Sequence, residues 1–285
     1  MNHVSTGLQC TITQSLGFGT AAISSMRSYG EVMQLLKAAY SGGIRYFDTA
    51  PLYGRGYAEK LLGDFIRDKR AEVTIATKFG LGEVDRLPIP ARLALPLNYY
   101  RKKWAGPPVA SLPATDQVPA NLSYRQIGLE AVKGSLENSL SRLQTDHIDY
   151  YLLHEALPGF LDPGVMEFLL SQKEKGRIRY LGVATDAHNL VQLTASDLEH
   201  WDVLQCEAGA LGERLMDKHP DKQHFRHSVL KNIARHRPDS EIRPVDTGGY
   251  LLSRQASING GKTLFSTRRK KVLQNNLLSF NKYST

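Results

Sequence analysis

Apolar residues recur along this chain in two alternating rhythms. Val32, Leu35, Leu36 and Ala39 follow the i, i+3, i+4, i+7 spacing of a helix that buries one face, and Gly42-Gly43 supplies its stop. Ile44 to Phe47 then reads as a buried strand. Ala58, Leu61, Leu62 and Phe65 repeat the helical spacing, and Val73 to Thr77 is strand-like again. After an interruption, Ser123 and Gln126 form a Ser-x-x-Gln pattern that predicts a capped helix start. Val132, Leu136, Leu140 and Leu143 line the helix that follows. Ile148 to Leu153 predicts a strand, Val165 to Lys175 a helix closed by Gly176, and Ile178 to Ala184 a strand. His188 to Leu193 fits a short helix and Val203 to Cys206 a short strand.

The pattern weakens beyond that point. Phe225 to His236 reads as a helix, Glu241 to Val245 as a strand, and Tyr250 to Ile258 as a short helix. Thr263 to Ser266 is the last strand and Lys270 to Phe280 the last helix. The eight helical segments match the eight strand–helix units that close a parallel barrel, so the predicted fold class is α/β, a (β/α)8 TIM barrel forming a single domain over 1–285. A doubly wound open sheet is the competing architecture, but no Gly-x-Gly-x-x-Gly follows the first strand. The stretch 80–122, basic and scattered with prolines such as Pro88, Pro90, Pro107 and Pro108, is expected to be a long loop after the third strand and a substrate lid. The C-terminal part is shorter than the barrel plan predicts.

Composition changes this picture little. With 41% hydrophobic and 22% charged residues, the chain can bury a large core. No run of 18 apolar residues predicts a membrane span, and the N-terminus lacks the pattern of a secretory signal. Cys10 and Cys206 offer neither metal spacing nor a disulfide framework, which fits a cytoplasmic protein. The net charge of +8 admits polyanion binding, yet no nucleic-acid module accompanies it, so no nucleic-acid partner is expected.

Three segments place reactive side chains where a buried strand gives way to a loop: Phe47-Asp48-Thr49-Ala50-Pro51-Leu52-Tyr53-Gly54, Ala76-Thr77-Lys78 and Leu152-Leu153-His154. Strand carboxyl ends meet on one face of a barrel, so an acid, a phenol, an ammonium and an imidazole would converge there. Reducing a carbonyl needs a proton donor to its oxygen. A free tyrosine, with pKa about 10, is a weak acid; a lysine ammonium beside it favours the phenolate. The expected roles are Tyr53 as general acid/base, Lys78 as the partner that lowers its pKa, Asp48 as the counter-ion of Lys78, and His154 as a substrate-orienting hydrogen-bonder.

The run from Gly42 to Gly54, followed by Glu59-Lys60-Leu61-Leu62-Gly63, closely resembles the signature of the aldo-keto reductases, in particular the branch that includes aldose 1-dehydrogenases. Thr77-Lys78, Asp149 to His154, and Gly176 to Val183 match the family's next landmarks in order. The resemblance implies NAD(P)H bound across the barrel mouth without a dinucleotide-binding fold, and interconversion of a carbonyl and an alcohol. It places Gly19 and Thr20 near the cofactor, with Asp48 beside them, and sets Gln205 on the nicotinamide carboxamide. It also assigns Ser266, Thr267 and Arg268 to a phosphate-binding turn and Asn276 to adenine.

The basic run Arg268-Arg269-Lys270-Lys271 opposes the dipole at a helix start and suggests an anion there, which favours NADP(H). NAD(H) stays open, because Val272 stands where many NADP-using relatives carry Arg. Ala184-Thr185 replaces the family's usual Ser-Asn, leaving Thr185 as the candidate carboxamide contact, and no Ser-Pro-Leu run is found after the seventh strand. Tyr99, Tyr100 or Trp104 are expected to complete the substrate pocket beside Tyr53 and His154. The alternative is a nucleotide-binding barrel acting as a non-catalytic sensor or docking scaffold.

Overall fold

Strand and helix alternate from Leu16 onward, and most strand positions are buried on both faces, as a sheet wrapped inside a ring of helices requires. The structure is a computed structural model describing residues 12–81, 89–104, 126–231, 242, 244–258 and 261–284. Its strands are β1 (Leu16–Gly19), β2 (Tyr46–Asp48), β3 (Thr74–Phe79), β4 (Ile148–His154), β5 (Ile178–Ala184), β6 (Val203–Glu207), β7 (Gln223–His227) and β8 (Thr263–Phe265). They pair in parallel and in chain order, and β8 returns to β1 through Leu16↔Thr263 and Phe18↔Phe265 to close the barrel.

The helices are α1 (Tyr29–Ser41), α2 (Tyr57–Ile66), α3 (Ala91–Trp104), α4 (Leu129–Leu143), α5 (Val165–Glu174), α6 (Ala187–Leu190), α7 (Ala210–Lys218), α8 (Thr247–Ile258) and α9 (Lys270–Tyr283). Their apolar faces meet the outward side chains of the strands. Val32, Leu35, Leu36 and Ala39 of α1 are all buried, as their spacing predicts.

Inside the barrel, Tyr46, Tyr150 and Phe225 pack edge against face with ring centroids 5.2–5.6 Å apart. Gly17 makes room for them: a Cβ there would lie 2.5 Å from Leu264 Cδ2 and 2.6 Å from Tyr46 Cδ1. This aromatic floor seals the barrel beneath the strand carboxyl ends. At the opposite end, Asp149 accepts from Arg70 (2.8 Å) and the Ile75 amide (2.9 Å), pinning β3 to β4.

Four elements differ from the sequence reading. The seventh strand is Gln223–His227, where a helix was expected from Phe225, and residues 232–241 lie outside the described residues. His224 and Arg226 face away from the barrel axis yet are buried; Arg226 donates to the Gly212 carbonyl and, at 3.2 Å, to that of Phe225. A strand whose outward positions are polar lacks the apolar run that marks its neighbours. The expected strand at Glu241 to Val245 is not formed at its described positions: Ile242 is a bend and Pro244 and Val245 lie in a turn.

The helix after the interruption begins at Leu129 behind Gly128, whereas Gln126 precedes a bridge between Ile127 and Leu161; Ser123 lies outside the described residues. Most of the supposed loop 80–122 is likewise outside them, but α3 occupies part of it. α3 docks on the outside of the barrel, with Arg92 stacked on the Tyr29 ring at 4.8 Å and Tyr57 donating to the Ile89 carbonyl at 2.9 Å. Among the described residues no helix is long and apolar enough to cross a membrane.

Candidate active site

Parallel pairing aligns the strand ends, and with them the reactive residues. Gly19 pairs with Asp48, His154 with Ala184, Ala184 with Gln205, and Glu207 with His227. Asp48 ends β2, Lys78 sits one residue from the end of β3, His154 ends β4 and His227 ends β7. Side chains alternate along a strand, so Lys78 projects inward while Thr77 faces the helices.

Lys78 is the hub. Its Nζ donates to Asp48 Oδ1 at 2.7 Å, to the Thr49 carbonyl at 2.9 Å and to the Tyr53 hydroxyl at 3.5 Å. All three donor positions are thus engaged in a site where Lys78 and Asp48 are almost wholly shielded from solvent. Burial works against the ammonium, but Asp48 and Tyr53 outweigh it and hold the Lys78 pKa above its ordinary value. The His154 ring meets the Tyr53 ring edge-on, centroids 6.2 Å apart.

Tyr53 departs from expectation in one respect. Burial pushes its phenol up, and Lys78 pulls it only part of the way back, so the net shift is upward. The resting site therefore holds a protonated phenol beside a charged ammonium. Burial pushes His154 well below the usual imidazole range, with Lys78 and then His227 acting in the same direction. The imidazole is neutral, able to donate one hydrogen bond and accept another.

The loop that presents Tyr53 is held by unusual backbone. Gly54, Arg55 and Gly56 all have positive φ (58°, 59° and 82°), a run in which two glycines avoid the Cβ penalty. Gly54 packs directly on Ser24, whose Oγ would lie 2.3 Å from an added Cβ.

Gly19, Thr20, Thr185, Gln205 and Ser266 lie at or near the carboxyl ends of their strands. Gln205 Nε2 donates to Asp48 Oδ2 at 3.2 Å, while its Oε1, also buried, has no partner among the described residues. The Thr20 hydroxyl and amide both donate to the Asp48 carbonyl, at 3.0 and 2.8 Å, so Thr20 braces β2 as well as bordering the mouth. Thr185 donates to Glu155 Oε2 at 3.4 Å and accepts from Asn189 Nδ2 at 3.1 Å. Gly19 lies beside Ser266, and Thr267 Oγ1 accepts from the Arg269 amide at 3.2 Å in the turn entering α9. Arg268 reaches Ser25 Oγ at 3.5 Å. Asn276 is buried on α9 against Gly248 of α8, its Nδ2 without a partner among the described residues. Tyr99 and Tyr100 stack edge-on in α3; the Trp104 side chain is not among those described.

Sequence reasoning missed three groups. His227 became visible only once β7 was in place; burial takes its imidazole down to about 4, with Asp48 opposing and Lys78, Lys231 and Arg226 assisting. The run Ser228-Val229-Leu230 follows β7 directly, where the sequence reading found no counterpart of Ser-Pro-Leu. Glu155, next to His154, has a left-handed backbone (φ 51°). Burial raises its carboxyl pKa, the Thr185 hydrogen bond opposes this, and the charge of Lys78 reaches it.

The orphaned Gln205 Oε1 and the basic turn at the start of α9 fit a dinucleotide laid across the mouth: one acceptor for a carboxamide, several cations for phosphate.

Comparison with known proteins agrees with this fold. A family model described as "Aldo/keto reductase family" matches residues 15–234. Pyridoxal 4-dehydrogenase of Microbacterium luteolum is 34% identical over 157 residues, covering 53% of this chain and 41% of the relative. D-threo-aldose 1-dehydrogenase of a Pseudomonas species is 33% identical over 145 residues, covering 50% and 40%. The chain thus spans less than half the length of these curated relatives. Among solved structures, the holo form of an aldo-keto reductase from Bacillus halodurans superposes with a TM-score of 0.65 at 18% identity, covering 93% of this chain and 86% of that one. An aldo-keto reductase from Klebsiella pneumoniae in complex with NADPH gives 0.64 at 19% identity, covering 94% and 85%. Fold, strand-end constellation and family match coincide, and this chain belongs to the aldo/keto reductase family.

Proposed function

We propose that the chain is an NAD(P)-dependent oxidoreductase that interconverts a small carbonyl compound and its alcohol, with NADP(H) favoured as cofactor. The observation that carries this reading is Lys78 Nζ joining Asp48 and the Tyr53 hydroxyl in a buried site. Gln205 would hold the carboxamide, and Ser266, Thr267 and Arg268 with the start of α9 the phosphates, with Asn276 beside them. When bound, the cofactor supplies or accepts the hydride.

The protein's part is the proton and the geometry. Tyr53, kept protonated by burial, donates to the substrate oxygen as negative charge develops there. The Lys78 ammonium at 3.5 Å stabilises the phenolate left behind, and Asp48 keeps that ammonium charged and aimed. His154, neutral at pH 7, hydrogen-bonds the same oxygen and orients it. In the reverse direction Tyr53 receives the alcohol proton. Glu155 follows His154 at the end of β4 and, when ionised, would repel anions and accept from hydroxyl groups. Hydroxylated, uncharged aldehydes suit it, and relatives named for pyridoxal and threo-aldoses support that class.

Titration of NADPH and NADH by fluorescence, followed by a panel of carbonyl compounds monitored through nicotinamide absorbance, tests the reading. Tyr53→Phe is expected to bind cofactor normally and lose about 10²–10⁴-fold in turnover. Failure of the parent protein to bind either dinucleotide would sink the enzyme reading and leave the barrel as a docking scaffold.

A further inference from the structure

Behind the site lies a second buried ion pair that the chemistry above does not use. Thr77, the outward neighbour of Lys78 on β3, donates to Glu59 Oε1 of α2 at 2.7 Å. Arg142 of α4 donates to Glu59 Oε2 at 3.1 Å. Glu59 is fully buried and Arg142 nearly so. The Arg142 guanidinium also lies directly beneath Gly56, where an added Cβ would stand 3.1 Å from Nε and 3.2 Å from Cζ. Gly56 is the last residue of the left-handed run that follows Tyr53 and the residue from which α2 departs.

The two sides of the catalytic contact therefore end on one carboxylate. From Lys78 the chain of contacts runs to Thr77 and on to Glu59. From Tyr53 it runs through Gly56 to Arg142 and again to Glu59. We infer that Glu59 and Arg142 are positioning residues that set the distance between Lys78 Nζ and the Tyr53 hydroxyl; this rests on the functional reading above.

Two physical points support it. A buried ion pair is seldom more stabilising than an apolar pair of similar volume, so stability alone does not account for placing one here. What the pair adds is directionality: two carboxylate oxygens each fixed to a different element. Secondly, the contact it governs is the weakest of the three that Lys78 makes. At 3.5 Å the Lys78–Tyr53 interaction is at the outer limit of a hydrogen bond, whereas those to Asp48 and Thr49 are 2.7 and 2.9 Å. A small outward drift of the Tyr53 loop would break the phenol contact and leave the Asp48–Lys78 pair intact.

The test compares Glu59→Leu/Arg142→Met, which replaces both charges by apolar groups, with the parent and with Tyr53→Phe. Thermal unfolding and NADPH affinity should stay near parental values, while kcat falls about 10–100-fold, the scale expected when a reacting group is misplaced by an ångström. The phenol limb of the kcat–pH profile should move to higher pH, because the ammonium that favours the phenolate has drawn away. The ionisation of Tyr53, followed by carbon NMR of labelled tyrosine and assigned by difference from Tyr53→Phe, should move the same way without cofactor or substrate. A folded double variant with parental kcat and an unmoved Tyr53 ionisation overturns the inference, as does a loss of kcat that merely tracks a loss of cofactor binding.

Should the double variant not fold, Thr77→Val removes only the hydroxyl that reaches Glu59. It should shift kcat and the phenol in the same directions by a smaller factor, and parental behaviour overturns the inference. Turnover by Tyr53→Phe at the parental rate would instead defeat the functional reading, and the NMR titration would still decide the positioning role.

Discussion

Gln205 and Asp48 meet across the centre of the barrel mouth, Nε2 to Oδ2 at 3.2 Å, although 157 residues separate them in the chain. The contact leaves Asp48 with one oxygen on Lys78 and the other on Gln205, and leaves Gln205 with a buried acceptor that nothing in the described structure satisfies. An unsatisfied buried acceptor costs about 1–3 kcal/mol, a cost that a ligand amide would relieve. Gln205→Leu is accordingly expected to weaken NADPH binding about 10-fold in a fluorescence titration while changing the melting temperature little. Parental affinity in that variant would remove Gln205 from the cofactor site.

Breaking the central ion pair should be felt in stability as well as turnover. Lys78→Met strands the Asp48 carboxylate in a buried site, and one-sided removal of such a pair costs about 3–5 kcal/mol. Asp48→Asn/Lys78→Met should recover most of that loss in urea denaturation and remain about 10²-fold or more below the parent in turnover. Equal stability of the single and double variants would show that the two charges are not coupled.

The imidazoles predict a sign for the acid response. The His227 pKa is about 4 in the folded protein, chiefly through burial, against about 6.5 for an unperturbed histidine. Between those values the unfolded chain binds more protons than the folded one, so stability rises with pH across the window and is lost as pH falls from about 6.5 toward 4. His154, depressed in the same direction, adds to the slope. His227→Gln should therefore narrow the difference between urea midpoints at pH 7 and pH 5. An unchanged difference would show that His227 titrates normally.

What could be read from sequence follows the chemistry of each strand. β2 to β5 announce themselves because their residues are apolar on both faces, and Asp48, Lys78 and His154 stand out as the charged or polar ends of apolar runs. Tyr53 stands out in a turn-rich loop just beyond β2. β7 does not, because Gln223, His224, Arg226 and His227 are polar, and the Gly212 carbonyl that accepts from Arg226 comes to it only on folding. With β7 went His227. The Glu59–Arg142 pair spans 83 positions, and the left-handed backbone of Glu155 leaves no mark in composition. α3 was hidden by Pro96 inside it and by the exposure of Leu93 and Leu97 on its outer face.

Glu155 should govern substrate charge. Its carboxylate lies next to His154 and within reach of the Lys78 field, so an anionic substrate pays a repulsion that a hydroxylated one avoids. Glu155→Gln is expected to raise kcat/KM for carboxylate-bearing aldehydes about 10-fold relative to neutral hydroxyaldehydes, a shift worth about 1.4 kcal/mol. An unaltered ratio would place the substrate away from Glu155.

Closure of the barrel by β8 on β1 also bears on how the chain is made. Leu16 leaves the ribosome well before its partner Thr263, which follows about 250 residues later, roughly 12–50 s at typical synthesis rates. Throughout that interval the nascent chain carries an apolar strand with an open edge, able to pair with any other extended segment nearby. The final strand is thus the step that ends the vulnerability of the first, and a stall in translation before Phe265 would release a polypeptide prone to aggregate rather than a smaller folded one.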